Sequence, residues 1–268
     1  FMEFCGGEPM PSVAAGQGLI HYSDYSGHTQ GAGRWPPLLL IHGAGGSRLD
    51  WPAELRRLPG ARVLTLDLPG HGRSTGPGRT TIEGYAQDVR QFLDRLGLER
   101  AILAGHSMGG AVAQQVALSD PDRVAGLVLI ATGSKLPVDP ALPQRILDAP
   151  DATLDWIIAN AWGPSVSADR RALARQRMAQ TPPSVLRGDY LACQSFDVCD
   201  RLDAISAPAL VVGASDDRMV RVSFSVTLAE RIPHATLIVI QGAGHMVPLG
   251  RPAEVARAVT EWLEAGQW

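Results

Sequence analysis

The chain predicts an α/β fold, a mostly parallel central sheet flanked by helices, with a helical insertion late in the chain. Three observations predict it. Short apolar runs alternate with longer amphipathic stretches. Most of those runs are continuously apolar, the pattern of strands buried on both faces. And 268 residues, 45% of them hydrophobic, can fill one such core.

Taken in order, residues 18–22, 38–41, 62–66, 101–104, 127–131, 209–212 and 236–240 read as strands. Residues 81–96 place Ile82, Tyr85, Val89, Phe92, Leu93 and Leu96 at three- and four-residue intervals, which is one face of a helix. A second helix follows over residues 111–118. Near the end, residues 254–263 put Val255, Val259, Trp262 and Leu263 on one side, with Pro252 as a start signal. The alternation fails between residues 135 and 205, where Pro140, Pro143, Pro150, Pro164, Pro182 and Pro183 break helical patterning. That segment also carries Leu154, Trp156, Ile157, Ile158, Trp162, Met178 and Phe196, more apolar bulk than a linker needs. It reads as short helices packing over the sheet, so residues 1–134 and 206–268 form the core and residues 135–205 the insertion.

A net charge of −3 supplies no positive field for phosphate backbones or anionic lipid, so neither nucleic acid nor a membrane surface is an expected partner. No apolar run approaches the ~20 residues of a membrane span. Residues 1–30 hold no lysine or arginine and no apolar stretch of leader type. Cys5, Cys193 and Cys199 are too few and too irregular for a disulfide framework, which suits a reducing, cytoplasmic setting with free thiols.

The chemistry concentrates after the strand at residues 101–104, where Gly105-His106-Ser107-Met108-Gly109-Gly110 opens a helix. This is G-x-S-x-G between strand and helix. A serine that must project from a sharp turn requires glycine two positions before and after it, because side chains there would strike neighbouring backbone. The helix that follows aims its amides at the point where an oxyanion would form. A serine hydroxyl also needs a base oriented by a third group. Two later strands end in Gly213-Ala214-Ser215-Asp216-Asp217-Arg218 and Gln241-Gly242-Ala243-Gly244-His245. Serine, acid and histidine therefore occur in that order, each at the carboxyl end of a strand, where such sheets gather their ligands.

His42, His71 and His106 flank the same loops without metal-ligand spacing, so no metal is implied and they read as loop-ordering or cleft-lining residues. Asp67, within Asp67-Leu68-Pro69-Gly70-His71-Gly72, reads as a turn carboxylate that ties down amides. Trp51, Trp156, Trp162, Met178, Phe196 and Met246 are candidates to line a pocket or simply to pack.

With Ile41-His42-Gly43-Ala44-Gly45-Gly46 and Asp67-Leu68-Pro69-Gly70-His71-Gly72-Arg73-Ser74 added to the serine, acid and histidine loops, the chain resembles the α/β-hydrolase fold superfamily over nearly its whole length after residue 18. The resemblance implies a serine esterase-like member: a carboxylesterase acting on a small, largely apolar ester through an acyl-enzyme, without a cofactor. It assigns Ser107 as nucleophile, His245 as base, and the amides of Met108 and Ala44 as oxyanion donors, with residues 135–205 as the cap. Counting forward from Gly213 the family spacing favours Asp216 as the acid; counting backward from the helix that follows favours Asp217. The backward count spans the longer match and is preferred. Carbon–carbon bond hydrolysis, enol-lactone opening, acyl transfer and perhydrolysis share this machinery, and some members of the fold serve as ligand sensors. Haloalkane dehalogenases and epoxide hydrolases carry aspartate where Ser107 stands.

Overall fold

The computed structural model describes residues 11–26, 33–163 and 166–266; Cys5 and Pro164 lie outside the described residues. Among these described residues eight strands form the sheet: β1 (Ser12–Ala15), β2 (Gly18–Asp24), β3 (Leu38–Ile41), β4 (Val63–Leu66), β5 (Ala101–His106), β6 (Val124–Ile130), β7 (Ala209–Ala214) and β8 (Ala235–Ile240). Their spatial order is β1-β2-β4-β3-β5-β6-β7-β8. The pairings of β2 with β1 and with β4 are antiparallel, and all others are parallel. β1 was not among the expected strands. It pairs with β2 through the turn at Gly16-Gln17, and of its four residues only Ala15 is buried, so it carries almost no apolar signal.

The helices are α1 (Ala53–Arg56), α2 (Ile82–Arg95), α3 (Met108–Ser119), α4 (Leu142–Asp148), α5 (Pro150–Ala161), α6 (Ala168–Met178), α7 (Pro183–Ser195), α8 (Val222–Arg231), α9 (Val247–Gly250) and α10 (Pro252–Glu264). Among the described residues no helix is long and apolar enough to cross a membrane.

Strand periodicity divides the core between the two faces. Leu39 and Ile41 of β3 and Leu103 of β5 pack with Tyr85, Val89 and Phe92 of α2 and Val112 and Val116 of α3. Leu38, Leu40, Ile102 and Ala104 point the other way, against Trp51 and against Val255, Val259 and Trp262 of α10. Thr81 starts α2 by accepting the Gly84 amide at its hydroxyl, a cap worth about 1 kcal/mol. Between β6 and β7, helices α4 to α7 gather a centre of their own from Leu142, Ile146, Leu154, Ile157, Leu186 and Tyr190, against which Ala44 also packs. Because β3, β5, β7 and β8 run parallel, the loops holding His42, Ser107, Asp217 and His245 leave the same edge of the sheet.

Candidate active site

Ser107 stands alone between β5 and α3 with φ 53° and ψ −118°. A non-glycine residue held there stores on the order of 1–3 kcal/mol and needs its surroundings to fix it. They do so from both sides. The Ser107 amide donates to the Ile130 carbonyl at 3.0 Å, and its carbonyl accepts from Gly110 N–H at 2.9 Å and from the Thr132 hydroxyl at 2.8 Å. A Cβ on Gly105 would meet the Gly109 backbone, and one on Gly109 would meet the Ile41 carbonyl. The two glycines of the motif are thus steric necessities of the turn.

The structure brings Ser107, His245 and Asp217 together. His245 Nε2 lies 2.9 Å from Ser107 Oγ, and its Nδ1 lies 2.8 Å from Asp217 Oδ2. With Nδ1–H given to the carboxylate, Nε2 presents its lone pair to the serine hydroxyl. The other oxygen of Asp217 accepts the amides of Met219 and Val220, both at 2.8 Å, so the carboxylate cannot swing away. Asp216 points elsewhere: it is exposed and accepts from the Ser215 hydroxyl at 2.9 Å. Beneath the pair, His106 donates Nε2–H to the His245 carbonyl at 2.9 Å. Burial, then the neighbouring His245, pushes His106 down to about 3, so the ring that props up His245 is neutral.

The loop after β3 carries Ala44. His42 Nε2 accepts the Leu68 amide at 3.0 Å, which leaves Nδ1–H to donate to the Gly43 carbonyl at 2.8 Å. Burial holds His42 neutral as well, pushed down to about 3. Gly43 O also takes Gly46 N–H at 3.1 Å. In a trans peptide the C=O and the following N–H point in opposite directions, so anchoring Gly43 O aims the Ala44 amide away from His42. Neither the Ala44 nor the Met108 amide donates to another described residue. Asp67 does what its turn requires, accepting the Arg48 amide at 2.7 Å, the Arg48 guanidinium at 2.9 Å and the Arg73 amide at 3.0 Å.

A cleft lies at Ser107. His42, Ala44, Trp51 and His245 line it from the sheet, and Leu136, Val138, Ile157, Met178, Tyr190 and Cys193 from the segment between β6 and β7. The lining is mainly apolar. Among the described residues that line it Asp50 is the acidic one; its carboxyl accepts the Ser47 amide at 2.9 Å and is pushed up to about 6 by burial. Of the bulky candidates, Trp51, Met178 and Met246 line the cleft, Trp162 borders a neighbouring groove, and Phe196 is core. Trp156 is exposed, with the Arg145 guanidinium 5.4 Å from its ring centre. Cys193 is a buried free thiol whose pKa burial raises, and the half-buried Cys199 thiol lies 3.0 Å from the Ser134 hydroxyl. Sequence reading did not single out Asp50, Thr181 or Asp189.

Residues 38–258 match the alpha/beta hydrolase family. A Caulobacter sp. (strain K31) protein named "Putative carbamate hydrolase RutD" is 32% identical over 249 residues, covering 84% of this chain and 90% of that protein. Among solved structures, a thermophilic esterase from Thermogutta terrifontis superimposes with a TM-score of 0.84 at 28% identity, covering 96% of this chain and 99% of that one. The enol-lactonase from Burkholderia xenovorans LB400 has the same fold, with a TM-score of 0.83 at 23% identity over 95% of this chain and all (100%) of that one.

Proposed function

The chain belongs to the alpha/beta hydrolase family, and from that premise we propose that it is a serine hydrolase cleaving small, largely apolar carboxylic esters through an acyl-enzyme. The observation that carries this reading is the hydrogen-bonded line from Ser107 through His245 to Asp217, set under an apolar cleft. Ser107 Oγ attacks the ester carbonyl carbon as its proton passes to His245 Nε2, and Asp217 holds the imidazolium that results. The oxyanion of the tetrahedral intermediate takes the amides of Ala44 and Met108. Collapse breaks the carbon–oxygen bond to the alcohol, which leaves with the proton from Nε2. Water then attacks the acyl group by the same route, releasing the acid and restoring the serine. Helices α4 to α7, within residues 135–205, act in this reading as a cap that shapes the acyl and alcohol sides of the cleft.

A carbamate is the second reading, favoured by the name of the 32%-identical relative and by Asp50 among the residues lining the cleft, an acceptor for a carbamate N–H. Carbamates are less electrophilic than esters, so the same machinery would turn them over more slowly. The test is labelling with a fluorophosphonate followed by turnover of matched aryl esters and aryl carbamates. Labelling at Ser107 with many rapid ester turnovers supports the esterase; preference for the carbamates supports the second reading. A single slow turnover with rearrangement of the cap would instead favour a ligand sensor, and no labelling and no turnover would end both hydrolytic readings.

A further inference from the structure

The segment between β6 and β7 reaches into the loop that carries Ala44. Asp189 of α7, fully buried, accepts the Gly45 amide and His71 Nε2–H at Oδ2, both at 2.8 Å, and the Tyr85 hydroxyl at Oδ1 at 2.5 Å. Thr181, just before α7, donates its hydroxyl to the Gly45 carbonyl at 3.1 Å. Both polar groups of the Gly45 backbone are therefore held from the insertion. Gly45 itself is left-handed, with φ +64°, and a Cβ there would lie 2.6 Å from Leu186 Cδ1 of α7. Loop and helix meet with no space between them.

His71 shows why the acceptor is a carboxylate. Its Nδ1 lies 3.1 Å from the Pro69 carbonyl and its Nε2 faces Asp189, so both nitrogens meet acceptors and only the doubly protonated ring makes both bonds. Burial opposes that charge, and the Asp189 carboxylate outweighs it, raising the His71 pKa. A neutral amide at position 189 would lose that balance.

We propose that Asp189 is a positioning residue of the active site: from α7 it holds Gly45 and thereby aims the adjoining Ala44 amide at the oxyanion. The inserted helices then supply part of the transition-state site as well as the walls of the cleft. The proposal rests on the serine-hydrolase reading above. Its geometry is a two-sided clamp on Ala44, with Gly43 O pinned by His42 and Gly46 on one side and Gly45 pinned by Asp189 and Thr181 on the other. Such donors must be placed to within roughly 0.5 Å to function.

The test compares the wild type with Asp189→Asn, Thr181→Val and, as a control for stability alone, Val259→Ala in α10. Removing an oxyanion donor outright costs about 10²–10³ in kcat, so misplacing one in Asp189→Asn should lower kcat about 10–100-fold with KM nearly unchanged. Affinity for a trifluoromethyl ketone, whose serine adduct places an oxyanion against Ala44, should fall in parallel, while affinity for the alcohol product should not. Thr181→Val should lower kcat several-fold in the same way; Val259→Ala should lower Tm and leave kcat alone. If Asp189→Asn loses Tm but keeps wild-type kcat and ketone affinity, the residue is merely structural and the proposal is overturned. If that variant does not fold, Thr181→Val decides, and unchanged kcat and ketone affinity there overturn it equally. A wild type that neither turns over esters nor labels at Ser107 would overturn the parent reading and this one with it, whereas an active, labelled wild type confines any failure to Asp189.

Discussion

Among the described residues two histidine–aspartate pairs have nitrogen and oxygen 2.8 Å apart, each with little or no solvent exposure. They differ in what meets the other ring nitrogen. His245 Nε2 faces the Ser107 hydroxyl, a group that can donate or accept, so a proton can move in either direction without the loss of a contact. His71 Nδ1 faces the Pro69 carbonyl, which only accepts, so giving up its proton forfeits a bond and leaves Asp189 a buried, unpaired anion. In the proposed reaction the first pair shuttles a proton, while the second is arranged to keep one. The difference lies in a single neighbour, and chemistry follows the neighbour as much as the pair.

The largest expected effect sharpens the contrast at that neighbour. Ser107→Ala should lower ester kcat by about 10⁶-fold while leaving the urea midpoint near the wild-type value, since the hydroxyl is the covalent centre and its loss opens no core cavity. Near-normal kcat would remove the distinction between the pairs. Next in size, Asp217→Asn should cost on the order of 10⁴ in kcat through lost control of the His245 tautomer. Asp216→Asn should stay within a few-fold, because that carboxylate is exposed and faces Ser215. Steady-state kinetics on folded variants ranks the two, and the reverse order would move the acid role to Asp216.

The pairing of Asp217 with His245 was legible in the sequence and that of Asp189 with His71 was not. Gly105 and Gly109 announce the elbow because backbone occupies the space of a side chain at each position. The choice of Asp217 over Asp216 followed from distance along the chain to the next helix, and it is Asp217 that meets His245. Asp189 had no such signature. In sequence it is an ordinary acid on an amphipathic stretch, and nothing local says that it will be buried against Gly45, 144 positions away. The core shows the same divide: the fully buried, mostly apolar β3 to β7 were evident, but β1, held as an edge by pairing with β2, was not.

Stability separates the pairs in the other direction. His71→Leu leaves Asp189 with an amide and a tyrosine hydroxyl but no counter-charge, which should cost about 3–5 kcal/mol in urea unfolding. His245→Ala should cost less, about 1–2 kcal/mol, because Asp217 keeps its two amide donors and the cleft admits water. Equal losses would mean that His71 is not charged.

The smallest effect concerns acid and sets His71 against the neutral histidines. His106 is pushed down to about 3, well below the value of 6.5 it has when unfolded. A histidine depressed in this way contributes stability that is present above 6.5 and lost as pH falls towards 3, because the unfolded chain takes up a proton that the folded one refuses. Between pH 7 and pH 5 that loss is about 2 kcal/mol for one such group. His106→Gln keeps a donor for the His245 carbonyl but cannot titrate, so its unfolding free energy should fall by about 2 kcal/mol less than the wild type's over the same interval. His71 has the opposite sign. Its pKa is raised, so its contribution is fully present below 6.5 and disappears only as pH rises through its folded value. Urea titrations at pH 7 and pH 5 on the wild type and His106→Gln make the comparison, and an equal acid loss in the two would mean that His106 is not held neutral in the fold.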